Sequence, residues 1–138
     1  MEIVLIRHGQ PEWMPNNIYT KNPGLTDLGK IQSQKSSSVF QKNDIDELWV
    51  SPLKRAQETF TPFKEIGVAK STYIYEWLQE MQDDEEEALY GKSSEEIMAF
   101  FEKRNSQSFE EWTVGNHGKY MEKFSKNIVS NLEIELEK

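Results

Sequence analysis

The chain has 138 residues, of which 36% are hydrophobic and 12% aromatic, enough for one folded domain with a core. Its 16 basic and 24 acidic residues give a formal net charge of −8, which argues against nucleic-acid binding and anionic-membrane binding. It has no cysteine for a disulfide or a thiolate metal site, and its N-terminal residues have a strand pattern instead of a signal-peptide pattern. We therefore expect a soluble, cytoplasmic protein.

The first predicted element is a short apolar strand, Ile3–Ile6, that ends in Arg7-His8-Gly9. Its composition is typical of a strand buried on both faces of a parallel sheet covered by helices. Open α/β sheets bind ligands just beyond the carboxyl ends of such strands. Arg7 offers a guanidinium for an anion, and His8 offers a nucleophile or base. Gly9 lets the backbone turn tightly and approach a ligand closely. The junction predicts an anion site with a nucleophile or base, and an ordinary surface turn is the alternative.

Beyond this junction, a long loop at residues 10–25 leads into alternating helical and strand patterns. In chain order they are a helix from Thr26 to about Gln41, a strand at 46–50, a helix after Pro52, a strand at 72–77, a helix from a capping box at Ser93 to about Arg104, and a helix from about Tyr120 to the last residue. This alternation predicts an α/β fold with a mainly parallel sheet, and no linker divides residues 1–138 into separate domains.

Arg55 is a second candidate for anion binding. It falls in the first turn of the helix that follows the strand at 46–50. The N terminus of a helix favours a bound anion, and two arginines that follow parallel strands can converge on one phosphate-sized group. Taken alone, an arginine at this position is more commonly a solvated helix residue.

Three segments together resemble the histidine phosphatase superfamily, which has the phosphoglycerate-mutase-like fold. They are Leu5-Ile6-Arg7-His8-Gly9, Gly24-Leu25-Thr26-Asp27-Leu28-Gly29, and Ser51-Pro52-Leu53-Lys54-Arg55-Ala56-Gln57-Glu58-Thr59. The resemblance implies a three-layer α/β/α sandwich with a mainly parallel sheet. It also implies a phosphohistidine intermediate on His8, with Arg7 and Arg55 clamping the phosphoryl oxygens. For a neutral imidazole to attack in line, its other nitrogen must be held by a hydrogen bond, which we expect a backbone carbonyl to accept. We expect no metal and no other cofactor.

The resemblance extends to the proton donor and the substrate. Glu80, in Leu78-Gln79-Glu80, matches the family's acid that protonates the leaving group, and Gln10 is a candidate for substrate contact or simply a polar loop residue. Mutase-like members of the family usually carry an asparagine where this chain has Met14, and residues 10–25 include no arginine. Both departures weigh against a phosphoglycerate substrate. We therefore expect a metal-independent phosphomonoesterase that acts on a small phosphorylated substrate or a phosphoprotein.

The chain departs from the family at the late second histidine, which follows a strand. Its other histidine is His117, and residues 108–114 make a poor buried strand, so we favour a surface histidine at a helix start. The late strand would then be missing, with the first strand left as an exposed edge. We favour a C-terminally incomplete domain. The two alternatives are a genuine short variant and a chain that a partner completes. The alternative function is a phosphate-binding or interaction module with impaired catalysis. Substrate identity and oligomeric state stay open.

Overall fold

A computed structural model describes residues 2–80, 87–106 and 116–137, with the backbone alone at 116–120. The described chain forms two compact units. The first comprises Met1–Glu12 and Asn22–Glu76, and the second comprises Trp13–Lys21 and Trp77–Lys138. Among the described helices, none is long and apolar enough to cross a membrane.

The sheet of the first unit has two described strands, β1 (Ile45–Val50) and β2 (Ala69–Ile74). They run parallel, and Ile45 pairs with Ala69 at one end and Val50 with Ile74 at the other. The predicted strand at 46–50 is confirmed, whereas the strand predicted at 72–77 begins three residues earlier and ends at Ile74. The α/β fold with a parallel sheet is therefore confirmed.

Helices α1 (Asp27–Ser37) and α2 (Lys54–Ile66) complete the first unit. Thr26 caps α1 as predicted, since its side-chain oxygen accepts from the N–H of Gly29 at 3.0 Å. The helix ends four residues before the predicted Gln41. Gly67 ends α2 in the left-handed conformation, with φ of 69°, two residues before β2 begins.

The core of the first unit is small, and α2 contributes Phe63 to it. Its buried apolar side chains are Leu25, Val50, Phe63 and Val68. Phe63 also packs against Phe40, with ring centroids 5.6 Å apart. Since α2 supplies Phe63 as well as Arg55, core packing fixes the helix that presents a predicted site residue.

The prediction of a strand buried on both faces at Ile3–Ile6 is wrong for the described structure. These residues are in no strand, and their exposed fractions are 59% for Ile3, 53% for Val4, 92% for Leu5 and 39% for Ile6. An apolar run becomes a buried strand only when neighbouring strands bond its backbone and helices cover its faces. In the described residues β1 pairs only with β2, so the segment lacks those neighbours.

The second unit contains helices α3 (Ser94–Asn105) and α4 (Asn116–Leu136). The predicted capping box is confirmed, because the N–H of Ser93 donates to the Glu96 carboxylate at 3.0 Å and the Ser93 hydroxyl oxygen accepts from the N–H of Glu96 at 3.4 Å. The bond from the Ser93 N–H lowers the pKa of the Glu96 carboxyl. The prediction for residues 108–114 lies outside the described residues.

Part of the predicted loop at 10–25 is ordered by the second unit. Tyr19 stacks between Trp13 and Tyr90, with ring centroids 5.7 Å and 5.5 Å away. Its backbone N–H donates to the carbonyl of Lys92, and its carbonyl accepts from Gly91, both at 2.9 Å. Residues 13–21 are thus held by aromatic stacking and backbone hydrogen bonds that the loop composition did not indicate.

Candidate active site

The Arg7-His8-Gly9 junction lines an open cleft of about 450 Å³ in the first unit. The cleft wall is formed by the chain that follows the first apolar run and by side chains of α1 and α2. Its lining residues are Arg7, His8, Gly9, Gln10, Pro11, Gln32, Ser33, Ser36 and Thr59. The structure thus brings three predicted site residues, Arg7, His8 and Gln10, to one concave surface.

The imidazole of His8 has a defined hydrogen bond. Its Nδ1 lies 2.8 Å from the carbonyl oxygen of Gly9, and the side chain is partly buried. Because a carbonyl oxygen only accepts, Nδ1 must carry the proton. In the neutral ring the lone pair is then on Nε2, the nitrogen that can act as a nucleophile or base. The backbone carbonyl expected from the sequence is that of Gly9.

Gly9 is required for close packing of two backbone segments. A Cβ atom at Gly9 would lie 2.3 Å from the carbonyl oxygen of Gly29, and one at Gly29 would lie 2.3 Å from the carbonyl oxygen of Gln10. Both distances are far below van der Waals contact, so the residues after His8 pass directly over the first turn of α1. The predicted close approach of the Gly9 backbone to a ligand stays a prediction; its described neighbour is the backbone of Gly29.

Gln10 is anchored to α1 on two sides. Its side-chain Oε1 accepts from the Thr26 hydroxyl at 2.8 Å, and its backbone N–H donates to Oε1 of Gln32 at 2.8 Å. Thr26 therefore does more than cap its helix, because it also orients a residue of the cleft wall. Contact between Gln10 and substrate stays a prediction.

Arg55 is the second residue of α2 and is only 1% exposed, so the alternative of a solvated helix residue is wrong. The side chain of Asn22 accepts from the backbone N–H of Lys54 at 2.8 Å and thereby caps this helix. The carbonyl of Arg55 accepts from the Thr59 hydroxyl at 2.7 Å. A buried guanidinium at a helix N terminus favours an anionic partner, since the guanidinium and the N-terminal end of the helix dipole are both positive.

The remaining predicted site residues belong to the second unit. Glu80 is exposed and follows a short 3-10 turn at Glu76–Leu78. His117 falls in the first turn of α4, as expected for a histidine at a helix start, but its side chain lies outside the described residues. The roles of both residues stay predictions.

Comparison with known proteins identifies the family. Residues 3–136 match the model of the histidine phosphatase superfamily (branch 1). The chain belongs to this superfamily. The resemblance carried by the Arg7-His8-Gly9 and Arg55 motifs is therefore confirmed, and this histidine phosphatase superfamily member can be compared with individual relatives.

Curated relatives of this superfamily member are 2,3-bisphosphoglycerate-dependent phosphoglycerate mutases. That of Parvibaculum lavamentivorans is 38% identical over 61 residues, which cover 41% of this chain and 29% of the relative. That of Bartonella henselae is 39% identical over 61 residues, covering 41% of this chain and 30% of the relative. The matched segment thus spans less than a third of these enzymes.

Solved structures share the fold of this superfamily member at low sequence identity. An Escherichia coli protein described as a candidate alpha-ribazole-5′-P phosphatase matches with a TM-score of 0.59 and 20% identity, over 91% of this chain and 65% of that one. A phosphoserine phosphatase of Entamoeba histolytica, solved with 3-phosphoglyceric acid, matches with a TM-score of 0.53 and 22% identity, over 80% of this chain and 51% of that one. They support the α/β fold assignment.

Gly29 and Thr59 stand in two of the motif segments but were given no role of their own, and the structure brings both against Gly9. Thr59 follows Arg55 by four residues, a spacing that places both on one face of a helix. That periodicity was a usable signal. No pattern in the sequence indicated the contact between Gly29 and Gly9, because the tertiary fold alone brings these two residues together.

Proposed function

We propose that this chain hydrolyses phosphomonoesters through a phosphohistidine intermediate on His8, without a metal. The observation that carries the proposal is the hydrogen bond from Nδ1 of His8 to the Gly9 carbonyl. It places the free lone pair on Nε2 of a histidine that lines a cleft beside Arg7. A neutral imidazole held in one tautomer is the form that attacks phosphorus.

The reaction has two steps. Nε2 of His8 forms a bond to phosphorus while the bond from phosphorus to the ester oxygen breaks, and the leaving oxygen takes a proton. A water molecule then attacks phosphorus, the N–P bond breaks, and inorganic phosphate and neutral His8 are released. Positioning and charge neutralisation supply most of the catalysis in such transfers, and guanidinium groups supply both. We assign these tasks to Arg7 at the cleft and to Arg55 at the start of α2.

A small phosphorylated molecule or a phosphoprotein is the proposed substrate. The curated relatives are mutases, but this chain has Met14 and no arginine in the loop at 10–25. Because that loop carries few cationic side chains, a substrate with several negative charges would gain little electrostatic stabilisation from it. These features favour phosphomonoester hydrolysis over transfer between phosphoglycerates.

Turnover of a panel of phosphomonoesters, measured with and without EDTA, tests the proposal. We expect release of inorganic phosphate at a rate that EDTA leaves unchanged, and no isomerisation of 3-phosphoglycerate. Tight binding of orthovanadate without turnover of any ester would instead support a phosphate-binding module with impaired catalysis. Activity that EDTA abolishes would contradict the proposal.

Glu80 is the proposed acid, and its role predicts a dependence on the leaving group. In Glu80→Gln, kcat for an alkyl phosphate should fall by about 100-fold, because a poor leaving group needs its proton. Turnover of p-nitrophenyl phosphate should fall by less than about fivefold, since nitrophenolate leaves unprotonated. Steady-state kinetics on both esters checks this prediction.

Glu76→Gln, four residues earlier in the chain, is the matched control and should leave both rates unchanged. Equal losses on the two esters in Glu80→Gln would contradict the assignment of Glu80 as the acid.

A further inference from the structure

We propose that Thr59 is a positioning residue for His8, an inference that rests on the proposed role of His8 as nucleophile. The Thr59 side chain is buried, with 6% exposure, and its hydroxyl oxygen accepts from the backbone N–H of Gly9 at 3.0 Å. Gly9 in turn provides the carbonyl that accepts from Nδ1 of His8. Thr59 thus acts on the nucleophile through one intervening residue.

The direction of the Thr59 bonds is set by its own helix. Its hydroxyl proton is donated to the carbonyl of Arg55 at 2.7 Å, one turn earlier in α2. With the proton committed there, the lone pairs of the oxygen are available to the N–H of Gly9. One hydroxyl therefore joins the turn that carries Arg55 to the loop that carries His8.

Gly9 needs such an anchor because it has no side chain to restrict its backbone. Rotation about its φ and ψ would swing its carbonyl away from His8. The peptide before Gly9 is held by Thr59, and the peptide after it is held by Gln32, whose Oε1 accepts from the N–H of Gln10 at 2.8 Å. The Gln32 bond is exposed, whereas the Thr59 bond is buried, so the latter meets less competition from water.

Thr59 is itself fixed from the neighbouring helix. The hydroxyl of Ser33 in α1 donates to the backbone carbonyl of Thr59, and Ser33 is buried, with 2% exposure. The bond holds the α2 backbone at this position against α1. A rigid support of this kind keeps a nucleophile within the narrow range of geometry that in-line attack requires.

The test compares Thr59→Val, which replaces the hydroxyl by a methyl group of similar size, with Thr59→Ser, which keeps the hydroxyl. Thr61→Val is the matched control, because Thr61 lies in the same helix and bonds the carbonyl of Gln57 at 3.2 Å, but at the exposed surface. If Thr59→Val is unfolded by circular dichroism, Thr59→Ala takes its place.

Two readouts are measured on the full chain. The first is kcat and KM with p-nitrophenyl phosphate, and the second is the ¹⁵N spectrum of the His8 imidazole, assigned by its loss in His8→Asn. In Thr59→Val we expect kcat to fall about 10- to 100-fold with KM within about twofold, as for the loss of one buried positioning bond. The His8 tautomer should change from Nδ1–H alone to a mixture. Thr59→Ser and Thr61→Val should match the wild type.

An unchanged His8 tautomer in Thr59→Val, or equal losses of kcat in Thr59→Val and Thr59→Ser, would overturn the proposal for Thr59. A wild-type chain without turnover would contradict the proposed function instead. The ¹⁵N comparison would still test the positioning role of Thr59, because it requires no reaction.

Discussion

His8→Asn should lower kcat for phosphomonoester hydrolysis by at least about 1000-fold, since the variant has no ring nitrogen to accept the phosphoryl group. Asparagine approximates the size of the ring near Cβ, and its amide N–H can replace Nδ1–H as a donor to the Gly9 carbonyl. The variant should therefore keep the wild-type far-ultraviolet circular dichroism and its affinity for orthovanadate to within about tenfold. Steady-state kinetics and vanadate titration check both parts.

His117→Asn is the matched control, because His117 is the other of the two histidines in the chain. We expect it to keep wild-type kcat, consistent with a histidine at the start of α4 that takes no part in the reaction. Equal losses of kcat in the two variants would contradict this expectation and indicate that His117 is the second histidine of the family's pocket.

Alanine at Gly9 or at Gly29 should destabilise the first unit strongly. In either variant the new methyl group would lie 2.3 Å from a backbone carbonyl oxygen, which cannot move without displacing the chain that carries His8 or the first turn of α1. We expect the free energy of unfolding to fall by about 3 kcal/mol or more, at the upper end of overpacking effects. Urea denaturation followed by circular dichroism measures the change.

Gly24→Ala is the control for this pair. There the added methyl group would lie 2.8 Å from the Glu58 carboxylate oxygens, at the far end of a flexible side chain. Moving that carboxylate disturbs the hydrogen bond that it accepts from the N–H of Leu25. We therefore expect the free energy of unfolding to fall by about 1 kcal/mol. If Gly9→Ala were as stable as Gly24→Ala, the close backbone contact at Gly9 would be contradicted.

Features decided by neighbouring residues were predictable from the sequence. The Thr26 cap, the Ser93–Glu96 capping box and the strand at 46–50 each depend on side chains a few positions apart. The same holds for the position of Arg55 in the first turn of α2. In these cases a local pattern and the observed structure agree because the interaction is itself local.

Features decided by distant residues were not predictable. Ile3–Ile6 has the composition of a buried strand, but whether such a run is buried depends on strands and helices elsewhere in the chain. The Gly9–Gly29 contact and the bond from Gly9 to Thr59 join positions 20 and 50 residues apart. For the candidate site, the motifs therefore predicted Arg7, His8 and Gln10, which line one cleft, and only the fold showed which groups bond His8 and Gly9.

Mapping the phosphorylated residue tests the central claim most directly. The full chain is mixed with a phosphomonoester, quenched in base within milliseconds, and digested for mass spectrometry under conditions that preserve phosphohistidine. We predict one phosphorylated site, His8, on an adduct that is stable in base and labile in acid, and none in His8→Asn. Turnover without any phosphoenzyme, or phosphate on a residue other than His8, would contradict the account.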